Sequence, residues 1–406
     1  MSAITMQRNI QTRRQLFDFL QSQMQTAYRN LLDNQRLEYE SSLIKSYIFE
    51  IEPLKTQGQN TLKKSIESLF SISEEKKVRL KVDEKEENGF FELNLEYYDH
   101  RLTLYLDTIT NTRFWLGFSI SSSQMLDRWL DAIVRTKSRF DFIWLWPSFL
   151  ENIQKRGLPR GFGLDYDYRK FEDDEEKTTY LKMQIWGGND TKGLYNLLKK
   201  NKNFKDKIVL SKVRLKEFGD GNTDGIFALQ DVKYNGKFTT RGTDFSTHVN
   251  TINLVRSNYG VIIKDIENNY SLKWMESAQG GVTLEGFAIH FIPNGFELNV
   301  SQFCDRVFDG TMPFRLLGFT NSLSESLVIV EAVDLHTGGE LSFEIYPDII
   351  SVYLPEETCG NTIARLYTNL QHFYNLSFTV EGDNGKLLFS DSFRESENGM
   401  VNSAGK

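Results

Sequence analysis

VRLKVDEKEENGFFELNLEYYDHRLTLYLDTITNTRFWLGFSI, residues 78–120, is the stretch that decides the fold. Four runs in it, Val78 to Val82, Phe90 to Tyr97, Leu102 to Asp107 and Arg113 to Ile120, alternate apolar with polar residues or are apolar throughout. That is the period-two pattern of strands. Asn88-Gly89 and Asp99-His100 sit between runs as turn signals. Connections this short join antiparallel neighbours, so the stretch predicts an antiparallel meander.

Helices flank it. From Ile10 to about Ile44, Phe17, Leu20, Met24, Ala27, Tyr28 and Leu31 recur at three- and four-residue spacing, which predicts an amphipathic helix with a Gln- and Arg-rich opposite face. A second helix is predicted over Asn60 to Phe70. Ser122 or Ser123 is placed to cap a third, with Met125, Leu126, Trp129, Leu130, Ile133 and Val134 as its buried stripe. Phe140 to Trp146 predicts a buried strand, and Pro147 the first turn of a short helix. Gly157 to Gly163 reads as a loop, and Glu172 to Glu176 as an acidic run.

Beyond it, strands are predicted at Tyr180 to Trp186, Ile208 to Leu215, Ile226 to Val232 and Val282 to Phe291. Helices are predicted at Asp190 to Leu198, from Thr243 to Gly260 or on to Ile266, and at Val300 to Phe308. Strands at Phe314 to Phe319, Leu327 to His336, Leu341 to Tyr346 and Ile349 to Leu354, a helix at Asn361 to Tyr374 and a last strand follow. Strand runs broken by single helices predict an α+β fold with mixed, mainly antiparallel sheets. The expected organisation is a helical segment over 1–50, an α+β domain over 51–170, a second over 171–380, with a further division near 275–310, and a disordered tail over 381–406.

Composition narrows the class. Hydrophobic residues make up 40% and charged residues 25% of the 406, a globular balance. The longest apolar run, Phe140 to Leu150, is too short to span a bilayer and contains Asp141 and Pro147. Two cysteines, Cys304 and Cys359, form no disulfide framework, and the expected setting is cytoplasmic, with no membrane partner.

Charge is uneven. The net charge is −7, yet residues 192–216 hold nine cations and one acid, so the rest of the chain carries −15 (−7 less +8). Lys212, Arg214 and Lys216 alternate with Val213 and Leu215, which puts the cations on one strand face about 6.8 Å apart. With Lys199, Lys200, Lys202, Lys205 and Lys207 they form a candidate surface for nucleic acid or another polyanion. A solvated face, or one neutralised by the acidic run, is the plainer reading.

Three polar constellations invite chemistry. Asp244 and His248, with Arg241 before them, share one helix face, as a base and its orienting carboxylate would; helix capping is the plain reading. Asp334 and His336 precede Gly338-Gly339, whose turn would put both at a sheet rim, Asp334 opposite Phe343 and His336 opposite Leu341. Two such groups resemble half a metal site, which needs a further ligand that spacing does not supply. Cys359 stands at a helix start, where a thiol can be activated, although an inert apolar role fits it better.

Zinc spacing, GxSxG, Walker and dinucleotide patterns are absent, so no metal, cofactor or catalytic motif is indicated. The expected function is non-catalytic binding of nucleic acid or another polyanion. A hydrolase or nuclease assembled from Asp244, His248, Asp334 and His336 is the alternative. A third is a subunit of a larger assembly, docking through the N-terminal helix, with prokaryotic antiviral defence as one conceivable setting.

Overall fold

The computed structural model describes residues 9–34, 43–52, 59–72, 78–97, 100–171, 180–188, 190–201, 208–219, 225–276, 280–324, 326–374 and 377–390. The acidic run at 172–176, Lys202, Lys205 and Lys207, and residues 391–406 lie outside them.

The quoted stretch forms β2 (Val78–Glu84), β3 (Phe90–Tyr97), β4 (His100–Asp107) and β5 (Phe114–Ser119), paired in sequence order. The meander then does something that local pattern does not show. β5 pairs with β1 (Ile44–Ile51), and β1 pairs on its other side with β11 (Lys237–Gly242). From β11 the sheet continues through β10 (Phe227–Lys233), β9 (Val209–Phe218) and β7 (Leu158–Asp167) to β8 (Tyr180–Trp186), and the short β6 (Phe140–Phe142) adds to β1. The expected boundary at 170/171 therefore runs through a sheet, because β7 pairs with both β8 and β9.

Two expectations fail here for identifiable reasons. Residues 44–51, IKSYIFEI, are a central strand rather than the end of a helical segment, and every residue of it is buried. A strand covered on both faces loses its alternation. Residues 157–163 looked like a loop because of Gly157, Pro159, Gly161 and Gly163, but from Leu158 on they open β7. At Gly161 (φ 154°) a Cβ would lie 2.3 Å from the Trp186 ring and 2.4 Å from the Ile185 carbonyl oxygen. Glycine is there for close approach of the neighbouring strand.

The second sheet runs β13 (Val282–Glu285), β12 (Ser271–Glu276), β18 (Ile350–Pro355), β17 (Glu340–Ile345), β16 (Val328–Asp334), β15 (Leu316–Ser322), with β14 (Ile289–Pro293) joining β18 to β19 (Phe378–Gly382). The strand expected over Val282 to Phe291 is split at Gly286 (φ 107°), where a Cβ would meet the Ser271 carbonyl oxygen at 2.3 Å. Among the described residues, all the strand pairings but that of β12 with β18 are antiparallel. This is an α+β fold with mixed sheets.

Two helices join the sheets. α6 (Phe245–Tyr270) runs through Gly260 without a break, because Phe245, Ile252, Val255, Tyr259, Ile263, Ile266 and Tyr270 keep one face buried along its length. α8 (Asn361–Phe373) is buried nearly all round, including the polar residues Asn361, Thr362, Arg365, Thr368, Asn369 and His372. α3 (Ser123–Thr136) buries Leu126, Trp129, Leu130, Ile133 and Val134 as expected, although Ser122 caps it without a side-chain hydrogen bond.

The expected disordered tail begins too early: Phe389 is buried, with ring centroids 4.5 Å from Trp146 and 4.6 Å from Tyr367. The N-terminal helix, α1 (Arg13–Asn34), lays Leu16, Leu20 and Met24 on its own protein. Phe17 packs edge-on against Phe118 and Phe245, and the Gln21 side chain donates to the Thr243 carbonyl (2.7 Å) and accepts from Phe245 N–H (2.6 Å). Its apolar stripe is thus used within the chain. No helix among the described residues is long and apolar enough to cross a membrane.

Candidate functional site

Asp244 and His248 have separate structural tasks. Asp244 is the N-cap of α6, accepting from Ser246 N–H (3.3 Å) and Thr247 N–H (3.0 Å). Burial opposes its charge, but the hydrogen bonds from Thr247 and Ser246 outweigh it and hold the carboxyl below its usual range. Asp244→Ala is expected to cost about 1 kcal/mol, the ordinary value of such a cap, read as a shift in urea midpoint. His248 is fully buried between Ser46 Oγ (2.8 Å) and Gln230 Oε1 (2.7 Å). Gln230 turns its Nε2 to Glu217 (3.0 Å), so its Oε1 accepts from His248 Nδ1–H, and the imidazole Nε2 of His248 accepts from the Ser46 hydroxyl. Burial drives the imidazole down to about 3.

Asp334 and His336 lie elsewhere. Ser46, beside His248, and Glu50, beside His336, are four residues apart on β1, about 13 Å along the strand. The four residues of the expected hydrolytic site do not converge.

The basic segment is divided. Lys199 pairs with Glu151 (2.7 Å), and Lys216 lies over the Phe227 ring (4.0 Å). Lys200, at the end of α5 (Thr191–Lys200), is exposed. Lys212 and Arg214 instead line a cavity of about 590 Å³ on one face of the first sheet, rimmed by α3. Six cations border it: Lys45, Lys182, Lys212, Arg214, Lys233 and Lys237. Three carboxylates accompany them: Asp127, Asp165 and Asp231.

Register explains the crowding. Arg214 faces Asp231 and forms a two-bond ion pair with it, but Lys212 directly faces Lys233. Like charges opposed across a ladder repel. Lys212 reaches Asp231 at 3.4 Å, whereas Lys233 has no carboxylate within ion-pair distance among the described residues. Burial, then neighbouring cations, hold both lysines below their usual range despite nearby aspartates. Trp186 closes one wall, its ring centroid 3.8 Å from the Arg214 guanidinium and 4.9 Å from Lys212 Nζ. Sequence reasoning found Lys212 and Arg214 but missed Lys45, Lys182, Lys233, Lys237 and Trp186, which reach the cavity from four other strands.

The second site lies where the sheets meet. The β16–β17 turn is longer than expected: Asp334 N–H donates to Gly339 O and Gly338 N–H to Asp334 O, so Ala332, not His336, pairs with Leu341. This moves Asp334 and His336 from a rim into the interior, both fully buried. The His336 N–H donates to Asp334 Oδ1 (3.0 Å). Arg365 of α8 forms ion pairs with both Asp334 and Asp141, and donates through Nε to the Phe314 carbonyl (2.8 Å). Burial opposes the Asp334 charge, but Arg365, His336 and Thr362 hold its carboxyl below the usual range.

On the far side of His336 stand Glu50 from β1 and Cys359 from the loop before α8. Arg113 donates to Glu50 Oε1 from Nε (2.8 Å) and forms an ion pair with it through Nη2 (2.6 Å), and it grips Glu267 of α6 with both terminal nitrogens (2.8 and 2.6 Å). Burial works against the guanidinium, yet Glu50 and Glu267 hold it well above its ordinary value. Burial, then Glu50, push the Cys359 thiol well up, so in this setting it stays protonated. These groups line a cavity of about 350 Å³ that also carries Glu52, Glu356, Glu357 and Lys273. The missed residue with a sequence signal is Glu50: IKSYIFEI places Lys45 and Glu50 in a run that is otherwise almost apolar.

Residues 4–388 match the family of MJECL33-like proteins, and the chain belongs to that family. It is similar to the protein MJECL33 of Methanocaldococcus jannaschii, 26% identical over 410 residues that cover 92% of this chain and 94% of that protein. No solved structure matches it.

Proposed function

We propose that this protein binds a phosphate-bearing ligand of about nucleotide size in the cationic cavity of the first sheet. The observation that carries the reading is the direct opposition of Lys212 and Lys233 across β9 and β10, both partly withdrawn from water. Such a pair is costly when empty, and an anion bridging it removes the repulsion. The volume suits a small ligand rather than an extended strand. Trp186, 37% exposed, offers a face for a planar group. Single-stranded nucleic acid is the macromolecular ligand of the same chemistry, presenting one nucleotide to the cavity.

Binding of ATP, tripolyphosphate and a labelled single-stranded oligonucleotide at low salt tests this, read by Trp186 fluorescence and by retention. The pair Lys182→Glu with Lys212→Glu is expected to weaken binding by at least about tenfold per cation, from charge-assisted hydrogen bonds of about 1.5 kcal/mol each. Lys199→Glu with Lys200→Glu, outside the cavity, is expected to leave ATP binding unchanged. Wild-type protein that binds none of the three, or a cavity variant that binds as wild type, refutes the reading.

A further inference from the structure

Glu50, His336 and Cys359 are all buried and offer three different ligand atoms to one point. Glu50 Oε2 lies 3.5 Å from Cys359 Sγ and 3.7 Å from His336 Nδ1, and Sγ and Nδ1 are 4.0 Å apart. The carboxylate–imidazole separation exceeds a normal hydrogen bond. It suits a different geometry. Atoms held at 2.0–2.3 Å around a tetrahedral zinc stand about 3.3–3.6 Å from one another. The observed sides, 3.5, 3.7 and 4.0 Å, run up to a few tenths of an ångström wider than that, and the in-plane point equidistant from the three atoms lies about 2.2 Å from each, so a small inward shift of the side chains gives zinc-to-ligand distances.

Two further observations point to a cation. His336 is fully buried, and its Nδ1, the nitrogen that faces Glu50 and Cys359, has no hydrogen-bond partner among the described residues other than the sulfur at 4.0 Å. Buried imidazoles are rarely left so, and an ion or water is the usual cause. The cavity lined by these residues also carries five carboxylates, of Glu50, Glu52, Glu267, Glu356 and Glu357, against Arg113 and Lys273.

We propose that Glu50 Oε2, His336 Nδ1 and Cys359 Sγ bind a divalent transition metal of the zinc class, with the fourth position open to the 350 Å³ cavity. Arg113 occupies Glu50 Oε1 and so leaves Oε2 to the ion. Three protein ligands with one open position is the arrangement of ions that bind water or substrate rather than of purely structural ones. Binding converts the Cys359 thiol and the free dication into a metal thiolate and one released proton. The ligands come from β1 of the first sheet and from the β16–β17 turn and β18–α8 loop of the second, so the ion also ties the sheets together. The inference does not depend on the cationic cavity.

The test is titration of the full chain with Co²⁺ and Zn²⁺ after chelator treatment. One equivalent of Co²⁺ should bind with a thiolate-to-cobalt charge-transfer band. Affinity should rise about tenfold per pH unit while the thiol is protonated. Cys359→Ser should abolish the band, and it and His336→Asn should each weaken Zn²⁺ binding by at least about a hundredfold. Circular dichroism checks that each variant remains folded, and Glu50→Gln, nearly isosteric, gives an independent loss of affinity. Wild-type protein that retains no Co²⁺ or Zn²⁺ through desalting overturns the proposal. So does a folded Cys359→Ser that binds both metals as tightly as wild type.

Discussion

Arg365→Met is expected to destabilise the protein by about 3–5 kcal/mol, measured by urea denaturation at pH 7.5. Arg365, Asp141 and Asp334 are all fully buried, and the Arg365 guanidinium bridges the two carboxylates. Methionine fills a similar volume, so the loss is electrostatic rather than a cavity effect. Arg315, at 3.7 Å from Asp141, compensates one carboxylate in part and reaches no oxygen of Asp334 within ion-pair distance among the described residues. Adding Asp141→Asn and Asp334→Asn to Arg365→Met should recover much of the loss, because the penalty belongs to charges left without a partner. A single variant within about 1 kcal/mol of wild type would show that the triad is not what holds α8 to both sheets.

The second large effect is acid lability between pH 8 and pH 5. Burial holds His248 and His372 in the native state to about 3. Unfolded, each titrates near 6.5. Below pH 6.5 the unfolded chain binds protons that the native chain refuses. The histidines' contribution is therefore fully present above pH 6.5 and is lost as pH falls toward 3. At pH 5 the loss is about 2 kcal/mol per histidine and about 4 kcal/mol for both. Asp131 and Asp165, raised by burial, act in the opposite sense, so the histidine term is isolated by difference. His248→Gln should lower stability at pH 8 and flatten the decline to pH 5 by about 2 kcal/mol. An unchanged slope would mean that His248 is charged in the native state.

Local pattern was enough where an element has one covered face. Strands β2 and β4 of the meander, the stripe of α3 and the alternation of Lys212, Arg214 and Lys216 against Val213 and Leu215 were legible because solvent on one side preserves the period, and β5, buried at every residue, was legible as an apolar run between turn signals. It failed where both faces are covered or glycine permits close approach. β1 shows no apolar–polar alternation, β7 reads as a loop, and α8 looks amphipathic although Arg365 and His372 are buried with Ile363.

The sites follow the same division. The excess of cations in residues 192–216 is a sequence fact, and Asp334 with His336 was legible as half a ligand set. What completes each lies far away in the chain: Lys182 and Lys233 around Lys212, and Glu50 and Cys359 around His336. Pairing of β1 with both β5 and β11 joins the two parts of the first sheet, and the turn after Asp334 carries His336 inward. By itself, then, the sequence determined an α+β chain with a meander, its helical stripes and one basic strand face, because neighbouring side chains set local periodicity. Only the tertiary structure decided that this face closes into a cavity and that a carboxylate, an imidazole and a thiol meet. Long-range strand register, not local spacing, sets those distances.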